Sequence, residues 1–451
     1  MPGVGQAVTT VPMKSIQEAL DSMMPAFEPT GTQRLGLGET LGFSLAEDVV
    51  TRRDLPPFDN SAMDGYALRT TDVRGASRAA PCELRLSSES RAGGPTPPPL
   101  SPGAVMRIFT GAQVPEGADA VVPQEDVEVR GKTVVFHRAP EVGEWVRRRA
   151  SDTAQGRVLL AQGSWLGPGE LGLCAAQGIA VVSVHRQPRV AIISTGDELR
   201  DIHDTLSPGT IVNSNAYALS AQVRLAGGQP VVLPIVPDEL EATVRALEQG
   251  LDCDLVLTCG GVSVGDYDLV KQAFATVGIQ ADFWKVDIKP GKPITFGRKG
   301  GVPVVGLPGN PVSAMVAFEV LVRPGLRKMA GDPRPYRLRH LVTLAVEHRH
   351  EKGRVELVRA RVAMQEGRLW ATPLELQGSG SLPSVVGADA FVVLDGQREV
   401  FVPGEALPAI LLRDEVGSEV SPFANGTIGD VAGDPRSPGP GQRAGSASEA
   451  P

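Results

Sequence analysis

The chain has 451 residues, of which 42% are hydrophobic, 21% charged and only 4% aromatic, with a formal net charge of −8. At roughly 100–200 residues per domain this length predicts three or four folded units with aliphatic cores. The acidic balance, with no long Lys/Arg run, excludes a broad electrostatic footprint for DNA or RNA. The first twenty residues lack a basic region ahead of an apolar core, and no run of 18 apolar residues occurs, so no membrane contact and a cytoplasmic location are expected. Cys82, Cys174, Cys253 and Cys259 show neither CxxC spacing nor neighbouring histidines; buried reduced thiols are expected, without zinc or disulfides.

In chain order, the first predicted element is a helix in VPMKSIQEALDSM (11–23), with Ile16, Ala19, Leu20 and Met23 on one face and Ser15 as N-cap. Residues 1–49 and a return segment at 146–188 flank a stretch, 50–145, in which short apolar runs alternate with Gly/Pro breaks, the pattern of a small β domain. From 189 to 331 strand and helix patterns alternate: RVAIIST, the helix NSNAYALSAQVRLAGG closed by Gly227 and Gly228, PVVLPIV, the helix ELEATVRALEQG, DLVLTCGG, the helix DLVKQAFATVG, and VPVVGLPG running into NPVSAMVAFEVLVRPGL. This predicts a parallel-sheet α/β domain. Residues 332–413 return to short alternating runs and predict a second β domain. From 414 to 451 there is little to bury, and disorder is expected. The fold class is therefore multidomain α/β.

Ligands of an open parallel sheet sit outside the carboxyl ends of its strands. Three strand ends here are glycine-rich: ISTGDEL (193–199), TCGGVSVGDYD (258–268) and GLPGNPVSA (306–314). Gly260, Gly261 and Gly309 permit close backbone approach, and Asn310 with Pro311 reads as an N-cap and N1 pair suited to an anion. Tight α/β turns need glycines for their own sake, so each loop alone is ambiguous. Asp197, Glu198, Asp266 and Asp268 crowd the same loops; acids beside an anion site call for a hard cation such as Mg²⁺, although Asp268 is also placed to cap a helix. In WKVDIKPGKPITFG (284–297), Lys285, Lys289 and Lys292 surround a Pro-Gly-Lys-Pro turn. They are either a solvated edge or an oxyanion clamp held in place by Pro290 and Pro293. PPFDNSAMDGYAL (56–68), read alone, is a turn with Asp59, Asn60 and Gly65 as formers.

Taken together, PPFDNSAMDGYAL, RIFTGAQVPEGADAVV, STGDEL, TCGGVSVGDYD, KPGKPITFG and GLPGNPVSA resemble the motif series of the molybdopterin molybdenumtransferase family, that of MoeA and the gephyrin E-domain. The resemblance implies insertion of molybdenum from molybdate into adenylylated molybdopterin, with Mg²⁺ and release of AMP, by a homodimer of four-domain subunits whose active site lies between them. A molybdopterin adenylyltransferase is the implied supplier of substrate. By motif, the resemblance carries catalytic roles to Asp64, Thr110, Glu198, Asp238, Asp268, Lys285 and Lys289. Substrate contacts fall on Lys289, Lys292, Arg359, Ser379, Gly260, Gly261, Ser263, Pro308, Gly309, Asn310 and Pro311, and metal ligation on Asp268 and Glu198. In this family the Asp64 loop faces the α/β domain of the partner subunit, which would explain its acids. One departure is RRRASD, which keeps Asp152 but lacks the acid that often precedes it.

Two rivals remain at the level of sequence. A stand-alone molybdopterin adenylyltransferase would share the 189–331 pattern but would not need the β units at 50–145 and 332–413. A gephyrin-like scaffold without catalysis would not need both acids and bases at one sheet edge.

Overall fold

The computed structural model describes residues 13–260, 269–365 and 367–413. The expectations placed on Gly261, Ser263, Asp266, Asp268 and the 414–451 tail lie outside the described residues. Contacts divide the chain into two units, one formed by the residues up to Gly31 together with those from His185 onward, the other by Thr32–Val184.

In the first unit, helix α1 (Ile16–Met23) begins with a capping box: Ser15 Oγ accepts from Glu18 N, and Glu18 Oε2 accepts from Ser15 N, satisfying two otherwise orphaned donors. Its buried face of Ala19, Leu20 and Met23, with Phe27 just beyond, enters the same core as the α/β segment. Each large side chain so buried contributes about 1.5–3 kcal/mol. The central sheet contains β1 (Arg189–Ser194), β2 (Gln229–Val232), β3 (Leu255–Cys259), β4 (Gln280–Phe283), β6 (Thr295–Lys299) and β7 (Val302–Leu307), in the order β2-β1-β3-β7-β6-β4. A short strand, β5 (Ile288–Lys289), leaves this sheet and pairs elsewhere.

The pairs β1–β2, β1–β3 and β3–β7 are parallel, as the alternating sequence predicts. The β7–β6 and β6–β4 pairs are antiparallel, a feature that reading did not include. Its signal was Gly300-Gly301: Lys299 pairs with Val302, so the two glycines, both at positive φ, form a two-residue hairpin turn. Helices α2 (Ser214–Leu225), α3 (Leu240–Gly250) and α4 (Leu269–Val277) flank the sheet. The last predicted helix is in two parts, α5 (Pro311–Ala317) and α6 (Arg323–Met329), joined by a π-helical turn at Phe318–Val322. Pro324 has no N–H to continue the ordinary ladder, which accounts for the change of winding.

The C-terminal segment closes on itself. Strands β8 (Arg339–Leu344), β9 (His348–Arg349), β10 (Val355–Gln365), β11 (Arg368–Pro373), β12 (Ala390–Leu394), β13 (Val400–Phe401) and β14 (Ala406–Leu411) include a run β10-β11-β8-β14-β12 whose last member pairs back to β10. Closure leaves few free edges. β5 adds to β10 in parallel, Lys289 opposite Glu356.

The second unit holds a six-stranded sheet built from Ala120–Pro123, Gly65–Leu68, Ala104–Ile108, Cys82–Ser90, Thr133–Phe136 and Val127–Arg130 in that order. Gly65 sits where a Cβ would lie 2.1 Å from Val122 O, so the MDGYA stretch needs a glycine for strand packing alone. Among the described residues no helix is long and apolar enough to cross a membrane.

Candidate functional site

The carboxyl ends of β1, β3 and β7 converge on a cavity of about 510 Å³. Its wall includes Glu198 and Asp238 on one side and Gly260, Pro308, Gly309, Asn310 and Pro311 on the other, with Asn213 and Asn215 at the start of α2 between them. Three glycine-rich strand ends that were separate in the sequence thus share one mouth. At Gly260, φ is +96°, and a Cβ would lie 2.6 Å from Thr195 O, so only glycine lets β3 turn here beside β1.

The acidic side is crowded. Asp197 Oδ1 accepts from Asp238 N at 3.1 Å. Partial enclosure by the cavity wall, reinforced by the charges of Asp197 and Glu198, holds the Asp238 carboxyl above its ordinary range. Such crowding suits a cation. The described residues contain no group of three His, Cys, Asp or Glu side chains that could hold a metal ion unaided. Asp197, Glu198 and Asp238 are nevertheless hard oxygen donors, and Mg²⁺ commonly binds one or two carboxylates and completes its shell with water and substrate phosphate. The donor set fits that arrangement.

The opposite side is built from the GLPGNP turn. Asn310 occupies the N-cap position of α5, but its side chain makes no cap bond. It donates instead through Nδ2 to Ser379 Oγ at 2.9 Å, while Val312 N donates to Ser379 O at 3.1 Å. The expected cap is therefore a tie to the C-terminal segment. Gln377 clamps both backbone groups of Arg359: its Oε1 accepts from Arg359 N at 3.1 Å, and its Nε2 donates to Arg359 O at 2.9 Å. Arg359 and Ser379, far apart from the GLPGNP motif in sequence, are thus linked to it through two short steps.

Arg359 is completely buried. Nη1 donates to Leu357 O at 3.3 Å, whereas among the described residues Nε and Nη2 have no partner. Burial holds this guanidinium below its usual range, Glu356 working the other way. An enclosed cation with unmet donors is the expected signature of an anion site.

The three lysines differ. Lys289 Nζ reaches Glu356 Oε2 at 3.3 Å, a buried carboxylate that also has His350 Nδ1 at 3.1 Å. Along β10, Leu357 joins the α/β core and Val358 the barrel core, so alternation puts Glu356 and Arg359 on opposite faces of the strand. Lys289 is accordingly turned to a counter-charge rather than to the Arg359 face. Sequence reasoning missed Glu356; its signal was an acid inside the apolar run VELV. Lys285 and Lys292 are half-buried, and among the described residues neither has an ion-pair partner.

In the second unit Asp64 and Thr110 meet: Asp64 Oδ1 accepts from Thr110 N and from Thr110 Oγ1, both at 2.7 Å. These bonds, the backbone one first, hold the Asp64 carboxyl below its ordinary range. Asp59, one of the expected turn formers, accepts from Arg148 Nη1 at 2.8 Å and Arg149 N at 2.7 Å.

Residues 14–178 match the model of the MoeA N-terminal region (domain I and II), 191–328 a probable molybdopterin binding domain, and 342–412 the MoeA C-terminal region (domain IV). The chain is 36% identical over 393 residues to the molybdopterin molybdenumtransferase of Bacillus subtilis, covering 86% of this chain and 91% of that one. It is 35% identical over 400 residues to that of Haemophilus influenzae, covering 88% and 98%. The crystal structure of the molybdopterin biosynthesis MoeA protein from Pyrococcus horikoshii OT3 superposes with a TM-score of 0.77 at 30% identity, covering 89% of this chain and all of that one.

Proposed function

The chain belongs to the MoeA family of molybdopterin molybdenumtransferases, and from that premise we propose that it transfers molybdenum from molybdate into adenylylated molybdopterin, releasing AMP, in molybdenum cofactor biosynthesis. The observation that carries the oxyanion part of this reading is Arg359, a wholly buried cation with two donors unmet among the described residues, its backbone clamped by Gln377 two residues before Ser379. A tetrahedral dianion would meet those donors, with Lys292 of the Pro-Gly-Lys-Pro turn as a second positive charge for it. The pterin and nucleotide would lie in the cavity at the strand ends, their phosphates against the backbone of Gly260, Gly309 and Asn310. Holding both reactants in one place supplies much of the rate.

Mg²⁺, when bound, would neutralise phosphate charge as AMP leaves. Glu198, with Asp268 outside the described residues, would hold it, and Asp197 and Asp238 would supply the surrounding negative field. Lys289 would serve through its pair with Glu356 rather than as a free cation. The same reading places the domains at 1–49 with 146–188, 50–145, 189–331 and 332–413, and the protein in the cytoplasm, supplied by a molybdopterin adenylyltransferase.

AMP release from adenylylated molybdopterin, measured with and without molybdate and Mg²⁺, tests the reaction. Release that needs both supports it; tight binding without release would favour a scaffold, and formation of the adenylate from ATP would favour an adenylyltransferase. We further propose a homodimer in which Asp64 and Thr110 complete the partner's cavity. Mixing inactive Asp64→Asn subunits with inactive Glu198→Gln subunits should restore activity to about a quarter of the wild-type value, since random pairing yields half mixed dimers with one intact site each. No recovery on mixing would place Asp64 and Glu198 in the same subunit's site.

A further inference from the structure

Helix α2 starts at the cavity, and its second residue does something the family assignment does not require. Asn215 Nδ2 donates to Gly309 O at 2.7 Å and to Cys259 Sγ at 2.9 Å. Cys259 Sγ in turn donates to Pro308 O at 3.2 Å. A carbonyl oxygen accepts only from the amide nitrogen, so the orientation of the Asn215 side chain is fixed by chemistry. Three elements are thereby locked together at the ligand mouth: the end of β3 through Cys259, the turn after β7 through Pro308 and Gly309, and the first turn of α2.

Two further features separate this from ordinary packing. Cys259 is 2% exposed and burial pushes its thiol up to about 12, so it keeps the proton it donates to Pro308 O. Asn215 Oδ1 is buried and has no partner among the described residues. An unmet buried acceptor carries a desolvation penalty, one that a purely structural amide would avoid and that function commonly explains. Meanwhile, among the described residues nothing accepts from the backbone amides of Gly309 and Asn310. The clasp holds the carbonyl edge of this turn inward to α2, which leaves those amides as the edge offered to the cavity. Seven residues further along α2, Gln222 Nε2 donates to Met315 O at 3.0 Å and fixes α5 to the same helix.

We propose that Asn215, acting with Cys259, is a positioning residue that sets the Pro308–Asn310 turn for the phosphate of the nucleotide substrate. It touches the turn, and the turn touches the ligand. The inference rests on the reading of the cavity as the adenylylated-pterin site.

Its test is steady-state AMP release with molybdate and Mg²⁺ saturating, for the full chain and three variants. Asn215→Ala should raise KM for adenylylated molybdopterin about tenfold, the loss of roughly one hydrogen bond to a group that must stay aligned, with kcat changed less than about twofold. Cys259→Ser keeps a donor and an acceptor and should stay within about twofold of the wild type. Cys259→Val should raise KM, and adding it to Asn215→Ala should raise KM no further, because both break one clasp. An unchanged KM in Asn215→Ala, or effects of the two substitutions that multiply, would overturn the proposal. If Asn215→Ala fails to fold, the contrast between Cys259→Ser and Cys259→Val decides: equal KM values for the two overturn it. Wild-type protein that releases no AMP sinks the functional reading instead.

Discussion

Arg359→Met should separate function from stability, with effects of opposite sign. The guanidinium is fully buried, has one hydrogen bond, to Leu357 O, and leaves Nε and Nη2 unmet. Among the described residues the guanidinium has no ion-pair partner, so replacing it by an apolar side chain of similar reach relieves its desolvation cost without stranding a counter-charge. The variant should therefore resist denaturant at least as well as the wild type. Its molybdate affinity should fall, since hydrogen bonds from a charged donor are worth about 1.5–3 kcal/mol, or about 10- to 150-fold in half-saturating molybdate. The assay is denaturant unfolding with and without molybdate, paired with the molybdate dependence of AMP release. Wild-type protein at 100 times its Kd of molybdate should gain about 2.7 kcal/mol, and the variant, at the same molybdate concentration and about 10- to 150-fold weaker, only about 0.3–1.4 kcal/mol. A variant clearly less stable than the wild type that keeps its molybdate dependence would show Arg359 to be structural.

Three other outcomes follow from the geometry. The raised Asp238 pKa, due first to enclosure and then to Asp197 and Glu198, means that the native chain binds more protons than the unfolded one; its stabilising share is complete below the ordinary carboxylate range and is lost as pH rises through the raised native value. Asp238→Asn should thus raise the unfolding midpoint at neutral pH and reduce the stabilisation given by Mg²⁺, and a lowered midpoint would contradict the crowding. A Cβ at Gly325 would meet the Phe27 ring at 2.5 Å, so Gly325→Ala should cost about 1–3 kcal/mol of overpacking, partly recovered by Phe27→Leu; strictly additive effects in a double-mutant cycle would refute the contact. Iodoacetamide at pH ~8 should modify half-buried Cys82 and spare Cys259 until the protein is unfolded, since only the accessible thiolate reacts; rapid native labelling of Cys259, read by mass spectrometry, would be the contrary result.

The α/β segment was legible because its helices and strands carry their own periodicity, and because glycine at a strand end signals a ligand mouth wherever the strand lies. The convergence of Thr195, Gly260 and Gly309 then followed from parallel topology alone. Arg359 and Ser379 were reached only through family resemblance: nothing in VELVRARV says that Arg359 is buried or that Gln377 clamps it two residues before the Ser379 that holds Asn310. The partner of Lys289 was hidden for a related reason, since β5 is two residues long and takes its neighbour from another sheet. Asn310 and Pro311 do open α5 as Asn before Pro predicts, but the side-chain partner of Asn310 is the tertiary Ser379, which no local pattern announces. Nor did the sequence reveal that α1 belongs with residues beyond 185, because an amphipathic face does not name what covers it.

That last feature sets a timetable for the ribosome. Lys328 Nζ donates to Met24 O across 304 positions, and Thr30 N donates to Met329 O. At about 5–20 residues per second, the first helix emerges roughly 15–60 seconds before the segment that covers it. For that interval Met23 and Phe27 are greasy side chains on a nascent chain with no native surface to meet, so this protein's earliest product is a natural client for chaperones. Slowing elongation between residues 32 and 320 should lengthen that dependence, whereas the Thr32–Val184 unit, which has all its own contacts by mid-synthesis, can fold on schedule.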